Sequence, residues 1–414
     1  MNAPDPMRYN LQSYYENKIY DLCIIGGGAS GLAMACSVSY AMPEAEVVII
    51  EKNEVLGRKL RSTGNGRCNI TNTDSSGYLD ALRFFKKTGI ATRTYPNGLV
   101  YPYSESAQDV ADLLAAEVRG AGFKVLTDAE VTGVKVLSGT ECINRLFVTD
   151  VKHNCKDGTF DKHIIRSKVL SVATGGKAAP HFGTTGYGYD IARAFGHRII
   201  KPIPILTGIE CSKNSPEEIA GIRARGIITL LKDGCKVFEE SGEIQFTKYG
   251  LSGICVFNMT RFMRFGRDES IGNFEAMIDL CPGEDLRKFL MIKAADGTNC
   301  NDALLTVIKP KLAGYVLQRI GVTGKLNREK ANKICAAVHS LKFKPTAIRG
   351  WKDAQCTSGG VDLEELTVNM ESKKVPGLYF VGEVVDYDGP CGGYNLTNAW
   401  LNGVAAAEDF VRKF

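Results

Sequence analysis

The chain has few of the groups that enzymes use for chemistry of their own. Thirteen cysteines are scattered through 414 residues, and no two stand in C-x-x-C or C-x4-C spacing. That excludes a dithiol relay of the disulfide-reductase kind and a cysteine-based zinc site readable from spacing. The five histidines do not cluster either, so no metal is expected. Neither sign of charge dominates: 51 Lys and Arg stand against 46 Asp and Glu, a net of +5. A concentrated basic stripe is missing, so no nucleic-acid partner is expected. Residues 22–43 carry no charge, but glycine and small polar residues fill their centre, which argues against a membrane span. No secretion signal is apparent, and the cysteines read as reduced thiols of a cytoplasmic protein. Residues 1–17 are polar, Tyr-rich and without periodicity, as in a loose tail.

What is present begins at Tyr20. The run YDLCIIGGGASGLAMACSVSYAMPEAEVVIIE holds a buried parallel strand ending in Gly26-Gly27-Gly28, a helix of small residues, and a second strand closed by Glu51. Gly26-x-Gly28-x-x-Gly31, with an acid 20 residues beyond Gly31, is the dinucleotide fingerprint in its strand–turn–helix setting. Gly26 permits the turn, Gly28 lets a pyrophosphate approach the backbone, and Gly31 lets helix and strand pack. The free N–H groups of Ala29, Ser30 and Gly31 face the phosphates at the positive end of the helix. Glu51 can accept hydrogen bonds from both hydroxyls of an adenosine ribose. A 2′-phosphate would be repelled there, so FAD or NAD fits.

A second Gly-rich stretch follows. Lys52, Arg58, Lys59, Arg61 and Arg67 are interleaved with Gly57, Gly64 and Gly66, and Ser62, Asn65, Cys68, Asn69 and Asn72 accompany them. Positive charge, close backbone amides and side-chain amides suit a polyhydroxyl chain joined to a pyrophosphate, as in FAD. A solvated basic loop is the plainer alternative.

The segments GGGASGLAMA and GRKLRSTGNGRCNITN closely resemble the bacterial BaiN / aminoacetone oxidase-like family of FAD-dependent oxidoreductases. The resemblance runs from Tyr20 to Val411. It implies a Rossmann-like α/β fold of the glutathione reductase/fumarate reductase type, an FAD cofactor and an inserted cap that shapes the substrate pocket. It also places the FAD adenine beside the backbone of Val131, in a β-meander of residues 124–172. The strand VLSVATGG, with Ala173, Thr174 and Gly175 at its end, matches the signature of the wider group that includes fumarate reductases. GTTGYGYD, residues 183–190, resembles the segment that follows in that group.

Between these landmarks, residues 95–103 read as a Tyr/Pro-rich loop. Residues 107–121 read as an amphipathic helix with Val110, Leu113, Leu114 and Val118 inward. From residue 202 the texture becomes β-rich. Strands are expected at 206–211, 226–231, 236–238, 244–247 and 274–280, with turns at Lys232-Asp233-Gly234 and Glu240-Ser241-Gly242-Glu243. Residues 282–343 read as helical, with Leu286, Phe289, Leu290, Leu304, Leu305, Leu312, Val316 and Leu317 as core candidates. QFTKYGLSG, residues 245–253, resembles a family loop in which histidine stands at the position of Lys248. Lys248, Tyr249, Arg223 and Arg225 are therefore the candidates for proton transfer or carboxylate binding, against a plain reading as solvated surface groups.

The end of the chain returns to the nucleotide domain. Residues 354–361 resemble the family's TaGGV strand. Gly382, Glu383 and Asp386 follow the next strand, and Gly392-Gly393-Tyr394-Asn395-Leu396 opens the last helix. A strand ending at Gly382 lets the backbone pass the ribityl chain, and Glu383 or Asp386 can bind its hydroxyls. The amides near residues 393–396 can face flavin N1 and O2, where negative charge develops on reduction.

The expected organisation is a tail (1–17), an FAD-binding domain in two parts (18–200 and 345–414), a β-barrel-like substrate domain (201–281) and a helical part of the insert (282–344). The expected function is hydride transfer through flavin N5 to or from a small-molecule substrate. Two directions stay open by resemblance. One is NADH- or NADPH-driven reduction of an activated C=C bond in a bile-acid or steroid enone. The other is oxidation of a small amine such as aminoacetone. A non-catalytic FAD-binding regulator is the third reading. No second GxGxxG marks a dedicated nicotinamide domain, so such a donor would bind transiently. Either a monomer or a homodimer is compatible.

Overall fold

A computed structural model describes residues 18–137, 145–155, 158–212, 216–264 and 271–414. The expected tail lies outside the described residues. The chain divides into two compact units, one of Met1–Ile203 with Cys356–Phe414 and one of Pro204–Gln355.

The first unit is built on β1 (Ile19–Ile25), which is hydrogen-bonded in parallel to two neighbours. A strand covered on both faces has no solvated side, so it reads as a continuous apolar run. Leu22, Cys23 and Ile24 are fully buried. Helix α1 (Ala29–Ala41) follows, then β2 (Val47–Ile50), then an irregular stretch to the short β3 (Thr71–Asn72). Helix α2 (Tyr78–Lys87), β4 (Thr92–Thr94) and β5 (Leu99–Pro102) come next. The expected Tyr/Pro loop is thus half strand: β5 pairs with β3 and β4, and Tyr101 is buried.

Helix α3 (Ala107–Gly120) starts where the Ser106 hydroxyl accepts the Asp109 N–H. Its inner face is Val110, Ala111, Leu114, Ala115 and Val118, while Leu113 is half exposed. Leu113 sits about 100° from Leu114, just beyond the edge of the apolar stripe. Next come β6 (Lys124–Leu126), β7 (Ala129–Leu137), β8 (Leu146–Asn154) and β9 (Phe160–Val172). The sheet order is β6-β2-β1-β9-β8-β7. β9 joins two textures: its first half pairs antiparallel with β8, its second half parallel with β1. Helix α4 (Tyr187–Ala194) and β10 (Ile199–Ile205) complete this segment.

The second unit begins where Leu206 takes φ +52° and breaks the strand expected over 206–211. Only β11 (Ile209–Cys211) remains of it. β12 (Arg223–Lys232) and β13 (Cys235–Phe246) form a long hairpin around Asp233-Gly234, both at positive φ. Two such residues match the twist of the flanking strands. The turn expected at 240–243 does not form. Those residues run straight through β13, opposite Arg225 to Ile228. One hairpin therefore carries both turn-like sequences, and only the Asp-Gly pair has the backbone freedom to close it.

β14 (Gly250–Ser252), helix α5 (Ile254–Thr260) and β15 (Phe274–Asp279) precede four helices. These are α6 (Leu286–Ala295), α7 (Cys300–Leu304), α8 (Pro310–Arg319) and α9 (Arg328–His339). Leu286, Leu290, Leu304, Leu312, Val316 and Leu317 are buried, Phe289 is partly buried, and Leu305 faces solvent. β16 (Leu341–Phe343) and β17 (Pro345–Ile348) end the unit. The antiparallel order is β16-β15-β12-β13-β14-β11-β17. Six steps of about 4.8 Å would set the two edges of a flat sheet about 29 Å apart. Yet only Lys344 separates β16 from β17 in the chain, so the sheet must curl back on itself.

The chain then re-enters the first unit with β18 (Cys356–Val361), β19 (Leu378–Phe380) and helix α10 (Tyr394–Lys413). β19 pairs in parallel with the end of β9. α10 lies on α1 so closely that a Cβ on Gly403 would meet the Ser30 carbonyl oxygen at 2.3 Å. Trp400 is fully buried, edge-on to Phe85, and donates its ring N–H to the Ile70 carbonyl at 3.0 Å.

Candidate functional site

The parallel strands β1, β2, β9 and β19 all end at one edge of the sheet. The loops leaving them meet there, the usual ligand edge of such sheets. Gly26 takes φ +106°, and a Cβ on it would meet the Ala173 carbonyl oxygen at 2.4 Å. A Cβ on Gly31 would meet the Gly26 carbonyl oxygen at 2.0 Å. Gly28 differs: its backbone is extended and nothing lies within 4 Å of a Cβ there. Two glycines therefore serve packing, and the third leaves open space before α1. No side chain caps α1, so its first N–H groups, at Ala29, Ser30 and Gly31, lack the partner that a Ser or Asp cap would give. The Ser30 hydroxyl itself is turned to the Val381 carbonyl at 3.2 Å, where it ties α1 to the end of β19.

Glu51 is 7% exposed at the end of β2. Its Oε2 accepts the Gly27 N–H at 2.8 Å, and its Oε1 accepts the Asn53 N–H at 2.8 Å and the Asn53 amide at 2.6 Å. A carboxylate offers about four lone-pair sites, so about one is left for a ribose hydroxyl rather than the two expected. Asn53 carries no motif signal in the sequence.

The basic stretch is used differently from the sequence expectation. Lys52 pairs with Glu130 at 2.7 Å, and Arg61 with Asp112 on α3 at 2.8 Å. Arg58 donates to Asn53 Oδ1 at 2.8 Å. Arg67 lies over the Tyr101 ring, 4.7 Å from its centroid. Lys59 reaches Glu383 at 2.7 Å. Lys52, Lys59 and Arg61 thus pair with protein carboxylates, so the stretch packs itself as much as it presents charge. Its backbone does the unusual work: Gly57, Gly64, Asn65, Gly66 and Cys68 all take positive φ. The Ser62 hydroxyl closes on the Lys59 carbonyl. The Cys68 side chain is fully buried, and burial pushes its thiol up to about 12, so it contributes packing and no thiolate. Asn69 is 7% exposed, and its Oδ1 has no hydrogen-bond partner among the described residues.

The second half of the site comes from the chain's end. Gly382 takes φ +81°, a Cβ on it would meet the Ser30 hydroxyl at 2.4 Å, and its N–H donates to Asn402 Oδ1 at 3.3 Å. Glu383 is held by Lys59 and by the Thr357 N–H at 2.9 Å. Asp386 accepts the Gly359 N–H at 2.9 Å. Both acids expected to bind ribityl hydroxyls thus also brace β18. Thr357, not singled out by the sequence, accepts the Lys177 and Ala178 N–H groups on its hydroxyl at 2.9 and 3.0 Å. It fixes the loop that continues Ala173, Thr174 and Gly175. Gly392 and Gly393 take φ +110° and +101° and turn the chain into α10, which no side chain caps. A Cβ on Gly392 would lie 3.9 Å from the Asn69 amide nitrogen. Asn395 closes a ring with Gly389 through two hydrogen bonds, so Tyr394 and Leu396 follow a fixed first turn.

FAD fits this arrangement on three structural grounds: the open cradle over Gly28, the two uncapped helix N-termini and the orphaned Asn69 Oδ1. Gly28 with residues 29–31 would hold the pyrophosphate, Glu51 the ribose, and residues 392–396 the electron-rich end of the flavin. Val131 is buried where the β7–β8 register shifts. The proton-transfer candidates all lie in the second unit. Arg223 and Arg225 are exposed on β12, Arg223 paired with Glu243 at 3.2 Å. Lys248 is exposed, and Tyr249 lies under the Arg349 guanidinium, 4.5 Å from its ring centroid.

The sequence matches a family described as HI0933-like protein Rossmann domain over residues 20–79 and 77–409. It is 30% identical to a 3-dehydro-bile acid delta(4,6)-reductase of Clostridium scindens, over 92% of this chain and 97% of that protein. It is 29% identical to a ribosomal RNA dihydrouridine synthase of Escherichia coli, over 95% of this chain and 98% of that protein. Among solved structures, the open form of a flavocytochrome c3 fumarate reductase shares the fold, with a TM-score of 0.50 at 14% identity, covering 99% of this chain and 81% of that one. No described helix is long and apolar enough to cross a membrane. With its dinucleotide edge built from both ends of the chain, the protein belongs to the HI0933-like family and is an FAD-dependent oxidoreductase.

Proposed function

We propose that the enzyme reduces a carbon–carbon double bond conjugated to a carbonyl, with NADH or NADPH as transient electron donor. When bound, FAD supplies the two-electron chemistry, taking hydride from the donor and giving it to a substrate carbon. The observation that carries the reading is the pairing of the Gly28 cradle with the uncapped α10 N-terminus at one sheet edge. A positive helix end there favours negative charge, as reduction of the bound group requires. The direction of reaction is supported by the relatives. A delta(4,6)-reductase of a 3-dehydro bile acid and a dihydrouridine synthase both saturate a double bond in conjugation with a carbonyl. Hydride adds to the carbon remote from the carbonyl and a proton to the carbon beside it, so donor and solvent together supply the two hydrogens.

A steroid-like enone is the favoured substrate, by the 30% relative. A second reading, a uracil ring in ribosomal RNA, is favoured by relatives at 29% and 28% identity over nearly their whole length. It departs from the expectation of no nucleic-acid partner, which rested on a mild net charge and on the lack of a concentrated basic stripe in the sequence. Mass spectrometry of products after turnover with NADH or NADPH separates the readings. A saturated steroid supports the first, and dihydrouridine in unmodified ribosomal RNA the second. Oxidation of aminoacetone with oxygen consumption, and no enone turnover, would contradict both.

A further inference from the structure

The β8–β9 hairpin gathers a set of side chains that the cofactor site does not use. In the strand register His153 stands opposite Asp161, and Val151 opposite His163. Side chains alternate faces along a strand, so Asp161 and His163 share one face with His153. One ligand atom from each of His153, Asp161 and His163 lies within 4.8 Å of the other two. The two imidazole centroids are 5.7 Å apart. A fourth donor comes from the hairpin end: the Cys155 thiol reaches Asp161 Oδ2 at 3.3 Å. Cys155 is fixed there by its own N–H, which donates to the Thr159 carbonyl at 2.8 Å.

We propose that His153, Asp161, His163 and Cys155 form a binding site for a divalent transition metal of the zinc class. Two imidazoles, a carboxylate and a thiolate are borderline-to-soft ligands, which favour zinc over the hard, all-oxygen shells of magnesium and calcium. Bonds of about 2.0–2.3 Å put tetrahedral ligand atoms about 3.3–3.7 Å apart. Closing the two histidines and Asp161 thus asks for shifts of about 1 Å, which χ rotation of the half-buried His153 and Asp161 supplies while the buried His163 stays in place; the Cys155 thiol, bonded to Asp161 but outside that 4.8 Å group, swings in by rotation about its own χ1. The carboxylate and a thiolate balance the two charges of the ion, and the thiol proton is released on binding. The histidines are ten residues apart in sequence and meet only across the strand pair, so ligand spacing does not reveal them. The ion would staple the end of the meander, a structural role separate from catalysis.

The test uses the full-length, flavin-loaded protein stripped with chelator. Zinc affinity is measured by competition with a chromophoric chelator, and cobalt(II) spectra report the ligand types. Asp161→Asn and His153→Gln are read beside the parent, with circular dichroism confirming that each is folded. Cys155→Ser gives an independent third measurement. The site predicts zinc affinity reduced by more than about tenfold in each variant. It also predicts a thiolate-to-cobalt charge-transfer band in the parent that Cys155→Ser abolishes. Affinities of the folded variants within about twofold of the parent, or a parent cobalt spectrum without the thiolate band, would overturn the assignment. Neither readout depends on the proposed reaction.

Discussion

At the scale of single residues, the site separates groups that hold the fold from groups that wait for a ligand. Gly28 has extended backbone and open space where a Cβ would go, so Gly28→Ala should leave the apo-protein folded. Its stability should rise by about 0.4–1 kcal/mol from lost chain entropy, while FAD affinity falls more than about tenfold. Thermal melts and flavin titration of the same preparation check both. Gly31→Ala should do the reverse, because its Cβ would strike the Gly26 carbonyl oxygen at 2.0 Å. The expected cost is about 1–3 kcal/mol, seen as a lower melting temperature even without flavin. Asn69 gives a third case. Its buried, unpartnered Oδ1 costs the apo-protein about 1–3 kcal/mol. Asn69→Leu should therefore melt no lower than the parent in the apo form and bind flavin more weakly.

These glycines were legible in the sequence through their spacing: at Gly31 a Cβ would strike the backbone, and at Gly28 it would fill the space that a pyrophosphate needs. The roles of Lys52 and Arg61 were not legible. Charge type says that a partner is needed, and only the fold says that the partners are Glu130 and Asp112. Thr357 and Asn53 were missed for a related reason. Each uses one polar group to fix a neighbouring loop, a task that any strand-end Thr or Asn is equipped to do.

At the scale of elements, α10 is the part whose anchoring matters most, because it supplies one uncapped N-terminus and lies on α1. Its far end is tied through Asp409, which is buried and accepts hydrogen bonds from Tyr379, Lys413 and Arg412. Burial raises the Asp409 carboxyl, but these three donors outweigh it and hold it down at about 2. A carboxyl lowered in the folded state stabilises the protein above its unfolded value near 3.9, and that contribution is lost as pH falls from about 4 to about 2. Asp409→Asn should flatten the acid limb of the stability–pH curve over that window, as urea unfolding at a series of pH values would show. The turn expected at Glu240–Glu243 shows where element-level reading fails. Gly and Ser signal freedom to turn, but pairing along the whole of β12 outweighs that freedom, and the stretch stays extended. Leu113 shows the same limit on α3, where periodicity gives the apolar stripe but not its edges.

At the scale of the whole molecule, the division into a nucleotide unit formed by both chain ends and an intervening unit follows from two glycine-rich halves of one site. The last glycine of the first half, Gly66, and the first of the second, Gly382, stand 316 residues apart, and only their shared chemistry joins them on paper. The curled seven-stranded sheet of the second unit was harder to see, since no local pattern states which strand pairs with which. Substrate choice is harder still, because a steroid and a uracil ring present the same reactive bond.

The most direct test of the central claim is an anaerobic two-step titration of the flavin-loaded protein. NADH or NADPH is added first and the visible flavin band is followed, and a 3-oxo-4,6-diene steroid or unmodified ribosomal RNA is added next. The account predicts that the band bleaches with one of the nucleotides and returns when a conjugated substrate is supplied. A band that neither nucleotide bleaches, or that once bleached returns only with oxygen, would contradict it.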